Sequence, residues 1–556
     1  MRATGRVAVV LLALCICDAT FAADNPAVTV AIDINLARHA INPMVYGVSF
    51  GTPGDLKLLN VQLNRSGGNT TTTYNWKQNA SNHDFDYYFE SLPDDSSAAA
   101  GQSADVFVNQ SKSQGAQPML AVPMIGWVAK LAPGRGKASS FSIAKYGPQC
   151  HVDPYDSDAG NGVKADCATE ITGNDPNDAY VANSVTVQKG WIQHLIAKWG
   201  KSSAGGVPYY LMDNESSIWF SVHRDIHPTG AHGTEIRDDV IAYSKMIKAL
   251  DPGAKIAAPE EWGFYGYEYD GYDQQYAAAN SYCCYPDHKG TQAGLDYIPW
   301  LLQQWKSAGH PIDVLSVHYY PQGDQQQGTQ EYGDDDSPST QLLRDKSTRE
   351  LWDPKYISKS YIAANVDLIP LLKGWVSKYY YAGTPVAVTE YNWGDEAHIN
   401  GATTQADILG IFGREGLDMA TRWTVPASTT PTFKAMQIYR NYDGKDSGFG
   451  DVSVKAAVPN PDNLSAFAAQ RTAGGALTVI VISKVLSGAT PVTLNLGHFT
   501  AGGTAQAYQL VAPSLVGTPP MPAPAQIKRI ANVTWSAGKL TATVPAQSVT
   551  LFVLPK

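Results

Sequence analysis

Residues 209–215 read Tyr-Tyr-Leu-Met-Asp-Asn-Glu, an apolar run too short for a helix that ends abruptly in three polar residues. Seven other stretches repeat that plan: Val45–Phe50, Gln62–Arg65, Pro118–Pro123, Lys255–Pro259, Asp313–His318, Pro385–Thr389 and Asp418–Trp423. Helical patterns stand between many of them, such as Ala182–Lys198, Ile236–Leu250 and Tyr361–Tyr379, the last expected to kink at Pro370. Strands that alternate with helices imply parallel pairing. Eight such units point to an α/β chain whose residues 43–426 form a (β/α)8 TIM barrel.

Outward from that block the pattern changes. After residue 427 helices become scarce, and Leu477–Lys484, Pro491–Leu496, Thr504–Leu510, Ala531–Trp535 and Ser548–Leu554 are β-rich runs separated by Gly, Pro, Ser and Asn turns. They predict an additional all-β sandwich domain. At the other end, Ala27–Ile34 alternates apolar and polar residues but has no partner before the barrel, so residues 24–42 are expected to join that sandwich.

The chain of 556 residues carries 41 Lys+Arg against 51 Asp+Glu, a net charge of −10, with no basic runs; this argues against nucleic acid as a partner. It holds 30 Tyr and 13 Trp although only 17% of its residues are charged, which suggests rings lining a cleft. Arg2 and Arg6 precede the apolar run Val7–Cys17, and Thr20-Phe21-Ala22 supplies small residues for cleavage, so residues 1–22 read as a secretory signal peptide. The mature protein is then expected to be secreted (extracellular or periplasmic) and monomeric, with no membrane span, because no later stretch approaches ~18 uninterrupted apolar residues. Four cysteines remain after the leader, and three pairings are open to them. Cys150–Cys167, closing a polar loop, is the favoured disulfide; the adjacent Cys283 and Cys284 are left as thiols or a vicinal bridge. Neither pair has the spacing of a zinc site.

In a barrel of this kind the chemistry lies where strands end. The fourth run ends Asp213-Asn214-Glu215 and the seventh Thr389-Glu390-Tyr391-Asn392-Trp393, so two carboxylates distant in sequence face one cleft. Glycosidic hydrolysis needs such a pair, one to protonate the leaving oxygen and one to attack or assist at the anomeric carbon. Other strand ends supply Arg65, Asn69, Glu261 with Trp262, His318, Tyr320 and Trp423. Together with Trp76, Trp127, Asn214 and Trp393 they form the expected substrate-binding set, because sugars present apolar C–H faces and polar edges. Glu260 and Glu261 are rival carboxylates, read as substrate binders or structural acids. Asp153, Asp156 and Asp158 fail the EF-hand spacing, since position twelve is Lys164, and are read as solvated turn acids.

Several motifs carry a family resemblance. Asn64-Arg65-Ser66-Gly67-Gly68-Asn69 with Tyr74-Asn75-Trp76, Met212-Asp213-Asn214-Glu215 with Ile218-Trp219, and Asp225-Ile226-His227-Pro228 are similar to glycoside hydrolase family 44. So are Ser347-Thr348-Arg349, Leu351-Trp352-Asp353-Pro354 and Thr389-Glu390-Tyr391-Asn392-Trp393-Gly394. The resemblance implies a (β/α)8 barrel joined to a β-sandwich and retaining endo-cleavage of β-1,4-glucans, including xyloglucan. It makes Glu215 the acid/base and Glu390 the nucleophile, with no cofactor required for catalysis. Glu90, Asp175 and Asp178 resemble the family's calcium site, which implies a structural Ca²⁺. Ser66 departs from an expected Trp and Ser216 from an expected Pro, which touches the preferred glucan but neither carboxylate. The rival readings are a retaining glycosidase acting on mannan or xylan, and a non-catalytic carbohydrate-binding protein.

Overall fold

The computed structural model describes residues 24–499, 502–517 and 519–556; the expected signal peptide, with Cys15 and Cys17, lies outside them. Eight strands close into a barrel: β1 (Gly47–Ser49), β2 (Leu63–Ser66), β3 (Gln117–Val122), β4 (Tyr209–Met212), β5 (Lys255–Glu261), β6 (Val314–Tyr319), β7 (Val386–Tyr391) and β8 (Met419–Arg422). All eight neighbouring pairs, including β8 with β1, are parallel. Side chains alternate across each strand. Leu63, Met119, Tyr209, Leu211, Val314 and Met419 fill the barrel interior, while Tyr210, Met212, Leu315 and Val388 enter the larger core beneath the helices.

Tyr361–Tyr379 is helical only over Leu368–Tyr379, so Pro370 falls in the first turn, where its missing N–H costs nothing and no kink is required. The barrel's last helix, Pro431–Arg440, packs on Ile399–Glu415 and Pro53–Leu59, beyond the boundary at 426 read from the sequence. Its residues lie inside the segment expected to be all β.

Ten of the other described strands form a single sheet, and the rest make four small sheets of two or three short strands. Val28–Asp33 pairs in parallel with Thr490–Gly497 and antiparallel with Val452–Ala457, which brings the sheet round on itself. Val30, Leu494, Leu540, Trp535 and Phe552 are among the residues packed in its interior. Helix Ile399–Glu415 joins the two bodies. It is buried along nearly its whole length, packing on barrel helices and on strands Leu464–Gln470, Leu477–Ser483 and Ser548–Leu554. An all-round buried helix is what a junction of two cores requires. Lys484 of the sheet domain meets Asp407 of that helix at 2.7 Å, both charges buried. Cys150 is bonded to Cys167, and Cys283 to Cys284.

Candidate active site

Strand parity aims the site. Arg65 follows Leu63 on the inward face of β2, and His318 follows Val314 and Ser316 on β6. On β7 the parity breaks: Ala387 points inward, yet Tyr391 is packed outward among the helices, and the pairing register with β8 shifts between Val388 and Tyr391. That irregularity turns Glu390 into the barrel mouth. A similar shift on β5 between Pro259 and Glu261 leaves Glu260 with φ +59° and its side chain inward. Such bulges commonly re-aim side chains next to active sites. After β4 the chain turns sharply, with Asp213 at φ +64° and Glu215 at φ +46°. The buried Asp213 carboxylate holds this turn by accepting the N–H groups of Met124, Ile125 and Asn214.

Five ionisable groups, one amide and a tyrosine hydroxyl interlock there. Arg65, fully buried, donates to Glu390 Oε1 at 2.7 Å, to Glu260 Oε2 at 3.2 Å and to Asn214 Oδ1 at 3.3 Å. Tyr320 donates its hydroxyl to Glu390 Oε2 at 2.9 Å. His318, also fully buried, joins Glu215 Oε1 (2.7 Å from Nδ1) and Glu260 Oε2 (3.2 Å from Nε2). Glu260 further accepts the Glu215 N–H on its backbone carbonyl at 3.0 Å. One oxygen of Glu215, one of Glu390 and a His318 nitrogen lie within 4.8 Å of one another. The Gly67–Gly68 backbone threads this network. A Cβ on Gly67 would lie 2.3 Å from Arg65 Cζ, and one on Gly68 2.5 Å from Trp423 Cη2, so neither position has room for a side chain.

Burial pushes Glu215 above the ordinary carboxylate range, against the opposing pull of His318. Burial pushes Glu260 the same way, but His318 and Arg65 overcome it and hold this carboxyl low. His318 resists its own burial because Glu390, Glu215 and Glu260 surround it, and its pKa rises to about 10. The arrangement thus sets Glu215, whose carboxyl burial pushes upward, beside Glu390, the low-held Glu260 and two fixed cations. It can deliver a proton at one point and present a nucleophile or base at another.

Other expected ligands fall into two groups. Asn214 donates to Asn69 at 3.0 Å, Trp423 lies under the Arg65 guanidinium at 5.9 Å, and Trp262 is half-buried at the end of β5. Trp127 is half-buried in a short pairing of Trp127–Ala129 with Tyr180–Ala182. Three assignments are corrected. Trp393 is 2% exposed and donates its indole N–H to Ser347, so it is a core residue. Trp76 packs against helix Val185–Trp199 and donates to Val187 O, away from the carboxylates. Glu261 is wholly buried and accepts the Ser216 and Ser217 hydroxyls, so it anchors the turn that carries Glu215 and touches no cleft. Glu260, ranked low from sequence, is the linchpin instead; a Glu-Glu pair at a strand end gave no means of telling which one points inward.

The expected calcium ligands do not assemble. Glu90 is buried against Lys137 Nζ at 3.0 Å, and the same ammonium pairs with Asp153 at 3.0 Å. Asp153 is therefore buried rather than solvated. Asp178 takes Lys145 and Asp175 caps a turn. Among the described residues, the one trio of His, Cys, Asp or Glu close enough to hold a metal is Glu215, His318 and Glu390.

Comparison with known proteins places this architecture. The model of glycoside hydrolase family 44 matches residues 80–323. The chain is 31% identical over 462 residues to endoglucanase A of Paenibacillus lautus, covering 79% of this chain and 61% of that protein, so it spans less than two thirds of that relative. Its structure superposes on CelM2, a bifunctional glucanase-xylanase from a metagenome library, with a TM-score of 0.90 and 52% identity over 96% of this chain and 99% of the other. A Paenibacillus polymyxa xyloglucanase of family 44, solved with xyloglucan, gives a TM-score of 0.76 and 26% identity over 96% and 100%. The fold agrees with these structures over 96% of this chain, and this chain belongs to glycoside hydrolase family 44.

Proposed function

We propose that the protein is a secreted, retaining endo-β-1,4-glucanase that cleaves cellulose-like β-glucans or xyloglucan. The observation that carries this reading is the closeness of Glu215 and Glu390, with oxygens within 4.8 Å. Retaining glycosidases hold their carboxyl groups ~5–5.5 Å apart, whereas inverting ones need ~6.5–9.5 Å to admit a water. Glu215, whose carboxyl burial pushes above its ordinary range, donates its proton to the leaving glycosidic oxygen. Glu390, oriented by Arg65 and Tyr320, attacks the anomeric carbon and forms a glycosyl ester. Glu215 then takes a proton from water, which cleaves the ester and restores the original configuration. An intact carboxylate pair favours this over a binding protein without catalysis. The solved relative described as a glucanase-xylanase makes xylan the second substrate to assay.

Glu390→Ala and Glu215→Ala test the roles. Each is expected to lose at least 100-fold in kcat on polymeric glucan. Glu215→Ala should keep turnover of an aryl glycoside whose leaving group needs no proton, and azide should accelerate it. NMR of the first product of the unaltered enzyme should show the β anomer. Ordinary turnover of polymer by either variant, or a first product in the α form, overturns the assignment.

A further inference from the structure

A crevice of about 670 Å³ opens between the last barrel helix, Pro431–Arg440, and the sheet domain, and its lining shares no residue with the catalytic network. Three cations line it: Lys434 on the helix, Lys445 on the turn that follows, and Arg529 on strand Lys528–Ser536. The chain carries more acids than bases, yet none of the three pairs with a carboxylate among the described residues. Lys434 donates to Gln437 Oε1 at 3.0 Å, and Arg529 to the carbonyls of Ala507 and Ile530 and to Asn532. The acid in the lining, Asp443, turns its carboxylate to the N–H groups of Lys445 and Ser447, at 2.9 and 3.3 Å. Burial holds the half-buried Lys434 below its ordinary pKa, and no neighbouring acid lifts it back. Behind the cations stand two tyrosines: Arg529 lies over the Tyr508 ring at 5.1 Å, and Tyr442 meets that ring at 4.6 Å. Gln437 and Gln506 add amide NH₂ groups that bond no described residue.

A half-buried ammonium without a counter-charge is costly, and an external anion would relieve it through charge-assisted hydrogen bonds. A neutral glucan gives these cations nothing to pair with. A bare oxyanion such as phosphate fills only a small part of the space, whose volume lies in the ~300–1,000 Å³ range of small-molecule sites. Single-stranded nucleic acid needs rings on which bases stack, and Tyr442 and Tyr508 are both buried. Cations call for a carboxylate and free amides for hydroxyls; a sugar acid carries both. We propose that this crevice is a second glycan site that takes a hexuronate of an acidic polysaccharide, its carboxylate paired with Lys434 and Arg529 and its hydroxyls bonded to Gln437 and Gln506. The site lies apart from the cleaving one, so it tethers the protein to acidic glycan without taking part in turnover. It stands independently of the glucanase reading.

Calorimetry with tri-galacturonate tests it, with phosphate and triglutamate as the rival anions. Tri-galacturonate should bind the unaltered protein at least tenfold more tightly than either, and added salt should weaken it because the crevice is open to solvent. Lys434→Gln and Arg529→Gln each remove one charge, and each should raise its Kd about tenfold or more. In both variants kcat/KM on neutral glucan should stay where it was. The melting temperature of Lys434→Gln should hold, because its ammonium leaves no carboxylate unpaired. Absence of tri-galacturonate binding, or a Kd that neither substitution moves, overturns the proposal. Phosphate binding as tightly would reduce the crevice to an inorganic-anion site, and triglutamate binding as tightly would make it a peptide site; either result refutes the sugar. Glucan turnover that falls in step with Kd would put the bound sugar in the cleaving cleft and refute the separate site.

Discussion

At the scale of single residues, His318 is the most exposed to test. Its Nδ1 lies 2.7 Å from Glu215, and it is the largest force drawing the Glu215 carboxyl down against burial. Removing the imidazole leaves burial and the nearby Glu390 charge unopposed by it, so Glu215 should hold its proton to higher pH. In His318→Ala the alkaline limb of the kcat/KM profile is therefore expected to move upward, while the overall rate falls because Glu215 loses its anchor. A limb that stays in place, or moves to lower pH, would show that His318 does not govern this proton. Arg65 makes the complementary case. Its contact with Glu390 spans β2 to β7, a pairing that no local pattern in the sequence discloses, although each residue was visible as a polar strand end.

Among the elements, the eight barrel strands were legible because each is a short apolar run closed by polar residues, and the structure finds all eight. Strands Val452–Ala457, Leu464–Gln470 and Lys539–Val544 escaped, being rich in Ala, Lys or Thr and so weakly patterned. What alternation does not encode is a bulge: the shifts on β5 and β7 decide that Glu260 and Glu390 face inward and Glu261 does not. The loop pairing of Glu90 and Asp153 through Lys137 was equally hidden, since a lysine 16 residues from one partner carries no signature. It has a measurable consequence. Lys137→Ala strands two carboxylates whose side chains are 0% exposed. Leaving buried charges uncompensated costs about 3–5 kcal/mol, and the partial exposure of the lysine brings the expected loss to about 2 kcal/mol. Urea unfolding should register that loss in the variant. EDTA should leave the melting temperature of the unaltered protein where it was, because an ammonium already stands between these carboxylates; a drop of several degrees on chelation would show that a metal supports the loop.

For the whole molecule, the surplus of buried acids sets the direction in which stability depends on pH. Burial raises Asp213 and Asp225 to about 6, and Glu261, Glu350 and Asp345 to about 7. In an unfolded chain these groups titrate near 3.9 for Asp and 4.3 for Glu. A carboxyl whose folded pKa is raised binds its proton more tightly when folded. Its contribution is complete below the unfolded value and is lost as pH rises through the folded one. Groups shifted the other way, such as Asp166 at about 2, matter only below pH ~4, where their contribution is lost on acidification. His318, raised to about 10, adds stability that is still present at pH 8. Between pH 4 and 8 the acids therefore dominate, and the protein should melt at a higher temperature at pH 5 than at pH 8. The five groups lie in separate places, from the turn after β4 to the helix Pro338–Ser347 that meets the sheet domain through Asp345 and Lys484. No single substitution should abolish the trend, but Glu261→Gln should flatten it by keeping one site neutral throughout. Melting temperatures that are level, or that rise from pH 5 to pH 8, would mean that these carboxyls ionise in the folded protein without penalty, against the burial that defines them.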